Sequence, residues 1–178
     1  MAHSVIVVRV PEAEPYVSQV REEFDPSAKL GMPPHITVLS PFMPPEHLTV
    51  AVLKQIGAIA LEVRSFTFQV REIGQLTGAL YLVPEPDTPF ISLTKRFARQ
   101  FPEYPPYRGQ YDGFVPHLTV ATGSREQQNL AHNKLLRSHG PEACIVSSCS
   151  EVAMLANSSG RWVQIHTFAL GIAKNLDS

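Results

Sequence analysis

From Ser4 to Val10 the chain is a β-branched apolar run, the pattern of a buried strand. Pro11 to Phe24 follows with apolar residues at Tyr16, Val17 and Val20, which predicts a helix entered through a proline. Residues 25–34 carry Pro, Gly and Ser and read as a loop. His35 to Leu39 predicts a second strand. Pro45 to Leu61 has helical spacing at Leu48, Val52, Leu53, Ile56 and Ile59. Phe66, Phe68 and Val70 alternate with polar residues, the mark of a half-buried strand, and Ala79 to Val83 predicts another.

The order then begins again. Pro89 to Phe101 places Phe90, Leu93, Phe97 and Phe101 on one helical stripe, and a loop rich in Pro, Gly and Tyr follows over residues 102–115. His117 to Thr122 predicts a strand. Ser124 to Arg137 predicts a helix, with Ser124 and Gln127 in the spacing of a capping box. Ile145 to Leu155 and Trp162 to Leu170 read as a closing hairpin across residues 157–160. The echo of Glu72 in Glu151, within similar phrases ending at Leu76 and Leu155, points to duplication. The expectation is an α+β fold: one bilobal domain over residues 1–178, with repeats at about 4–77 and 79–172. Two pseudo-twofold-related lobes of antiparallel sheet would carry helices outside and a cleft between them.

Within this repeat one phrase occurs twice, as Pro34-His35-Ile36-Thr37-Val38 and as Pro116-His117-Leu118-Thr119-Val120. Residues two apart on a strand share a face, so each phrase aims an imidazole and a hydroxyl the same way and buries the apolar residues on the other face. Two such strands facing one space would supply two acid–base groups and two hydroxyl donors to a phosphate.

Composition narrows the partners. With 178 residues, a formal net charge of −1, 44% hydrophobic and 17% charged residues, the chain reads as an ordinary soluble globular domain. It lacks the positive charge that grips long duplex DNA by counterion release, so a nucleic-acid partner would be an end, a short strand or a nucleotide. The opening residues do not read as a signal peptide and no apolar run spans a membrane. Cys144 and Cys149 read as free thiols of a reducing cytoplasm, and a monomer is the default.

The two His-x-Thr phrases, one in each half of a duplicated αβ chain, resemble the two-histidine phosphoesterase superfamily. Within it, the bacterial 2′,5′ RNA ligase-like proteins, which also act as RNA 2′,3′-cyclic phosphodiesterases, are the nearest in style. The aromatic and proline-rich approach from Tyr104 to Tyr107 and the lead from Phe114 to Pro116 are similar too. The resemblance implies a metal-independent enzyme with no cofactor, in which His35 and His117 are the acid–base pair and Thr37 and Thr119 hold the phosphate. Its substrate would be a nucleotide or RNA terminus bearing a 2′,3′-cyclic phosphate or a 2′,5′ linkage, and ligation would be the same chemistry in reverse.

Other readings stand beside this one. The runner-up is an esterase for another small cyclic phosphate; a binding protein for nucleotides or RNA ends with little turnover is a further reading, disfavoured because both histidines and both threonines are present. Metal ligation by His35 and His117 is disfavoured because threonine, not a ligand, occupies each i+2 position. His132 and His139 share a helical face without a third ligand nearby, which suits a solvated face. Candidate substrate contacts are Phe42, Tyr107, Tyr111 and Phe114 for a base, and Arg108 and Arg161 for phosphate. Which histidine is acid and which is base stays open at this point.

Overall fold

The computed structural model describes residues 2–109, 114–140 and 143–172. Its strands are β1 (Ser4–Arg9), β2 (His35–Leu39), β3 (Phe66–Leu76), β4 (Ala79–Glu85), β5 (Leu118–Thr122), β6 (Ile145–Cys149), β7 (Glu151–Ala156) and β8 (Val163–Ala169). Its helices are α1 (Glu14–Phe24), α2 (Pro26–Lys29), α3 (Val50–Leu61), α4 (Thr88–Gln100) and α5 (Arg125–His139). The fold is α+β, with the strands joined in one antiparallel sheet of order β6-β3-β4-β5-β2-β1-β7-β8.

Capping chemistry sets the helix starts. Ser124 and Gln127 complete the expected capping box at α5. Pro11 and Pro45 open short 3₁₀ turns instead, and the helices proper start three to five residues later. At α3 the start is fixed by Thr49, whose side chain accepts from the Val52 amide. The loop before β2 contains the short helix α2, because the Asp25 carboxylate accepts from the Ser27 amide at 3.0 Å.

The segment 145–155 is not the single strand of a closing hairpin. It breaks at Ser150 into β6, which pairs with β3, and β7, which pairs with β1 and β8. This break curls the sheet. β6 and β7 stand first and seventh in strand order, about 29 Å apart in a flat sheet at about 4.8 Å per strand. One intervening residue spans only about 7 Å. The far end is drawn in as well: Gly171 donates to the Val63 carbonyl at 2.8 Å and accepts from Ser65 at 2.7 Å.

The strand order reads alike from both ends when β1 is matched with β4, β2 with β5, β3 with β7 and β6 with β8. The axis of that match passes between β2 and β5, the two motif strands. The halves of the sheet are nevertheless not the halves of the chain, since β3 crosses to pair with β4 and β7 crosses back to pair with β1.

Burial alternates along the motif strands. Ile36, Val38, Leu118 and Val120 enter the main core beneath the helices, against residues such as Val17, Ile56, Leu93 and Phe97. The opposite face carries His35 and Thr37, and farther out a smaller apolar cluster of Val5, Val7, Ala153 and Leu155 covered by Met32 and Trp162. No helix among the described residues is long and apolar enough to cross a membrane. Both cysteines are free.

Candidate active site

β2 and β5 meet at one register pair, Ile36 opposite Leu118. In an antiparallel ladder, one step either way sets His35 opposite Thr119 and Thr37 opposite His117. Side chains directly opposite lie about 4.5–5.5 Å apart at Cβ. Both imidazoles and both threonines thus form a diagonal square on the face away from the helices. The four residues singled out by their repeat meet at the axis of the sheet.

The two histidines are held by the same device. His35 Nδ1 lies 2.8 Å from the carbonyl of Pro33, and His117 Nδ1 lies 2.7 Å from the carbonyl of Val115. A carbonyl only accepts, so each Nδ1 carries its hydrogen and donates. In the neutral ring Nε2 is then a bare acceptor, and in the protonated ring it is a donor. Each motif therefore fixes its own tautomer from the backbone two residues upstream. Neither threonine hydroxyl is engaged by a hydrogen bond among the described residues, which leaves both available to a ligand.

The surroundings of the pair differ. His35 is half-buried, and burial pushes its pKa down from 6.5 to about 4. Its bond to Pro33 works in the opposite direction. A buried ion pair adds smaller, opposed effects, Arg21 lowering and Asp25 raising, and His117 lowers it slightly further. Arg21 and Asp25 are 2% and 3% exposed; Nε and Nη2 donate to Asp25 Oδ2 at 3.1 and 2.9 Å. The other carboxylate oxygen caps α2 through Ser27. This pair fastens the end of α1 to the loop that delivers His35.

His117 lies instead among aromatic rings. Tyr81, which pairs with Thr119 across β4 and β5, lies with its ring centroid 5.2 Å from the imidazole. Tyr107 stacks on the imidazole at 6.4 Å and 18°, and on Phe114 at 6.3 Å and 22°. Tyr107 and Arg108 adopt left-handed backbone angles, φ 51° and 57°, and the Tyr107 amide donates to Ser40 at the end of β2. The loop between α4 and β5 is thereby tied to both motif strands.

The other expected contacts separate. Phe42 is 2% exposed and packs edge-to-face on Phe101 and Tyr104, so its ring is spent in the core and offers no face to a base. Arg161 is exposed, and its Nη1 donates to the Lys29 carbonyl at 3.1 Å, bracing the loop before β2. Arg108 is exposed beside the aromatic group. Tyr111 falls outside the described residues. Among these residues, no group of three or more His, Cys, Asp or Glu side chains comes together in a metal-binding arrangement.

Arg9 and Tyr81 join the site without a motif to announce them. Arg9 is the register partner of His35 on β1 and so shares its face. At the level of sequence, only its place at the end of an apolar strand marks it: a lone charge closing a buried run.

The comparisons with known proteins agree with this fold. A family model described as the 2′-5′ RNA ligase superfamily matches residues 9–161. A Bacillus cytotoxicus protein named as an inferred phosphoesterase is 33% identical over 109 residues, covering 57% of this chain and 58% of that protein. A second, from Bacillus licheniformis, is 23% identical over 177 residues, covering 96% of this chain and 99% of its own. Among solved structures, E. coli LigT complexed with 3′-AMP aligns with a TM-score of 0.58 at 17% identity, covering 94% of this chain and 97% of LigT. LigT complexed with NADP+ aligns at 0.57 and 18% identity, with 95% and 97% covered.

Proposed function

Since this chain belongs to the 2′-5′ RNA ligase superfamily, we propose that it is a phosphodiesterase that opens 2′,3′-cyclic phosphates on nucleotides or RNA ends by acid–base catalysis between His35 and His117. One observation carries the reading: each imidazole spends Nδ1 on a carbonyl two residues upstream, and its Nε2 makes no hydrogen bond among the described residues. A pair of such groups, fixed in tautomer and facing one phosphate, is what an in-line displacement at phosphorus needs. The 3′-AMP and NADP+ held by the LigT structures support a nucleotide as ligand.

The roles follow from the surroundings. His35, whose burial favours the neutral ring, takes the proton of the attacking water through Nε2. His117 gives a proton to the departing ribose oxygen. Thr37 and Thr119 donate to the non-bridging oxygens as charge builds there. Each histidine contributes roughly 10²- to 10⁴-fold. The chemistry uses no metal.

Hydrolysis of nucleoside 2′,3′-cyclic phosphates in the presence of EDTA tests this. Turnover should survive the chelator in the wild type and vanish in both His35→Ala and His117→Ala. Loss of turnover to EDTA, or an active folded histidine variant, would contradict it.

A further inference from the structure

Both motif strands lose their regular register at the same place. Against β1, Leu39 pairs with Ile6 and Thr37 with Val7, so Val38 is skipped. Against β4, Ala121 pairs with Leu80 and Thr119 with Tyr81, so Val120 is skipped. Each skipped residue is a β-bulge one position beyond a motif threonine. A bulge adds twist and re-aims the side chains beside it. Burial follows the same break: Val38 and Leu39 both enter the main core, as do Val120 and Ala121. Each threonine is thus the last residue on the histidine face before the alternation stops.

The first bulge has a tie that comes from outside the sheet. Val38 is buried and has a register partner on neither β1 nor β5. A buried carbonyl at such a place needs a donor from elsewhere. Thr94 of α4, itself buried, supplies it: its Oγ1 donates to the Val38 carbonyl at 2.8 Å. A threonine inside a helix commonly bonds back to its own preceding turn; this one reaches across to β2 instead. The matching helix has no such group. Pro15-Tyr16-Val17-Ser18 in α1 and Pro89-Phe90-Ile91-Ser92 in α4 are similar phrases, and two residues beyond them stand Val20 and Thr94. α1 packs on β5 as α4 packs on β2, but Val20 is a core residue with no side-chain hydrogen to donate.

We propose that Thr94 is a positioning residue for Thr37: its hydroxyl fixes the bulged peptide after Val38, and through it the bend of β2 that aims the Thr37 hydroxyl at a non-bridging oxygen of the substrate phosphate. The inference rests on the phosphodiesterase reading above and deepens it. The Val38 carbonyl lies one residue past Thr37, so any rotation of that peptide is taken up in the backbone angles next to the threonine. Phe90, Leu93 and Phe97 anchor α4 in the core, and the bond from Thr94 passes that rigidity to the phosphate contact. Thr119 receives no matching bond from Val20. A donor held in place before the reaction counts most where charge builds on the phosphate, so its loss falls on kcat more than on KM.

The test is a double-mutant cycle on the hydrolysis of a nucleoside 2′,3′-cyclic phosphate. Thr94→Val keeps the shape and removes the donor, and Thr94→Ser keeps the donor. Thr94→Val should lower kcat roughly tenfold with KM little changed, the scale of a small misplacement at the reacting group. Thr94→Ser should keep most of the wild-type rate. In a Thr119→Ala background Thr94→Val should again cost roughly tenfold, but in a Thr37→Ala background less than about twofold, because the contact it positions is already gone. A merely structural role would lower every background alike, which overturns the assignment. So does an unchanged kcat in Thr94→Val, or a loss that Thr94→Ser shares. If Thr94→Val does not fold, Thr94→Cys, whose thiol is only a weak donor, takes its place in the cycle. Turnover indifferent to Thr94 removes this inference alone. A wild type that does not open the cyclic phosphate removes the phosphodiesterase reading, and the inference with it.

Discussion

Gly74 lies directly against the ring of Tyr81: a Cβ added at residue 74 would stand 2.4 Å from two carbons of that ring. The two residues are register partners on β3 and β4, and Tyr81 in turn touches the imidazole of His117. The absence of a side chain on β3 thus makes room for an aromatic ring that braces one histidine of the proposed catalytic pair.

Gly74→Ala should therefore displace Tyr81 and loosen His117. The expected result is a fall in kcat of roughly tenfold, with stability lowered by about 1–3 kcal/mol from overpacking. Steady-state kinetics alongside urea denaturation check both. Tyr81→Leu should reproduce the kinetic loss without the overpacking, because it removes the brace rather than pushing it aside.

The buried pair of Arg21 and Asp25 makes a second prediction. Asp25→Asn leaves the Arg21 guanidinium buried without its counter-charge, which should cost about 3–5 kcal/mol. It also removes a group that raises the His35 pKa, while Arg21, which lowers it, stays. Urea denaturation measures the first effect. A downward shift in the acid limb of kcat/KM measures the second.

His35 couples stability to pH. Its folded-state pKa is lowered from 6.5 to about 4, so between these values the unfolded chain binds the proton and the folded chain does not. Stability from this group is full above about pH 6.5 and is lost as pH falls toward 4. Below that the loss levels off. Melting temperature against pH should show this slope in the wild type and a shallower one in His35→Gln.

The parts legible in the sequence were those set by local pattern and by repetition. The apolar periodicity located the main helices and the strands, and the doubled His-x-Thr phrase located the square of two histidines and two threonines because strand geometry alone decides that residues two apart share a face. What stayed hidden depends on register and long-range pairing. Arg9 matters because it pairs with His35, and Tyr81 because it pairs with Thr119 and rests on Gly74. Neither pairing can be read from the residues around it. Ser150 looks like any polar residue in a strand, yet there the chain leaves one edge of the sheet and joins β1 on the other side. Phe42 failed as a substrate contact for a related reason: its position after the motif suggested the cleft, but the bend after β2 turns it toward Phe101 and Tyr104.

The central claim is a division of labour, with His35 as base and His117 as acid, and the most direct measurement varies the leaving group. On a nucleoside 2′,3′-cyclic phosphate both His35→Ala and His117→Ala should lose at least about 10²-fold in kcat. On a p-nitrophenyl phosphodiester, whose leaving group departs without needing a proton, His117→Ala should regain most of the wild-type rate while His35→Ala stays impaired. Recovery of the His35 variant instead, or equal losses in both variants on both substrates, would contradict the assignment.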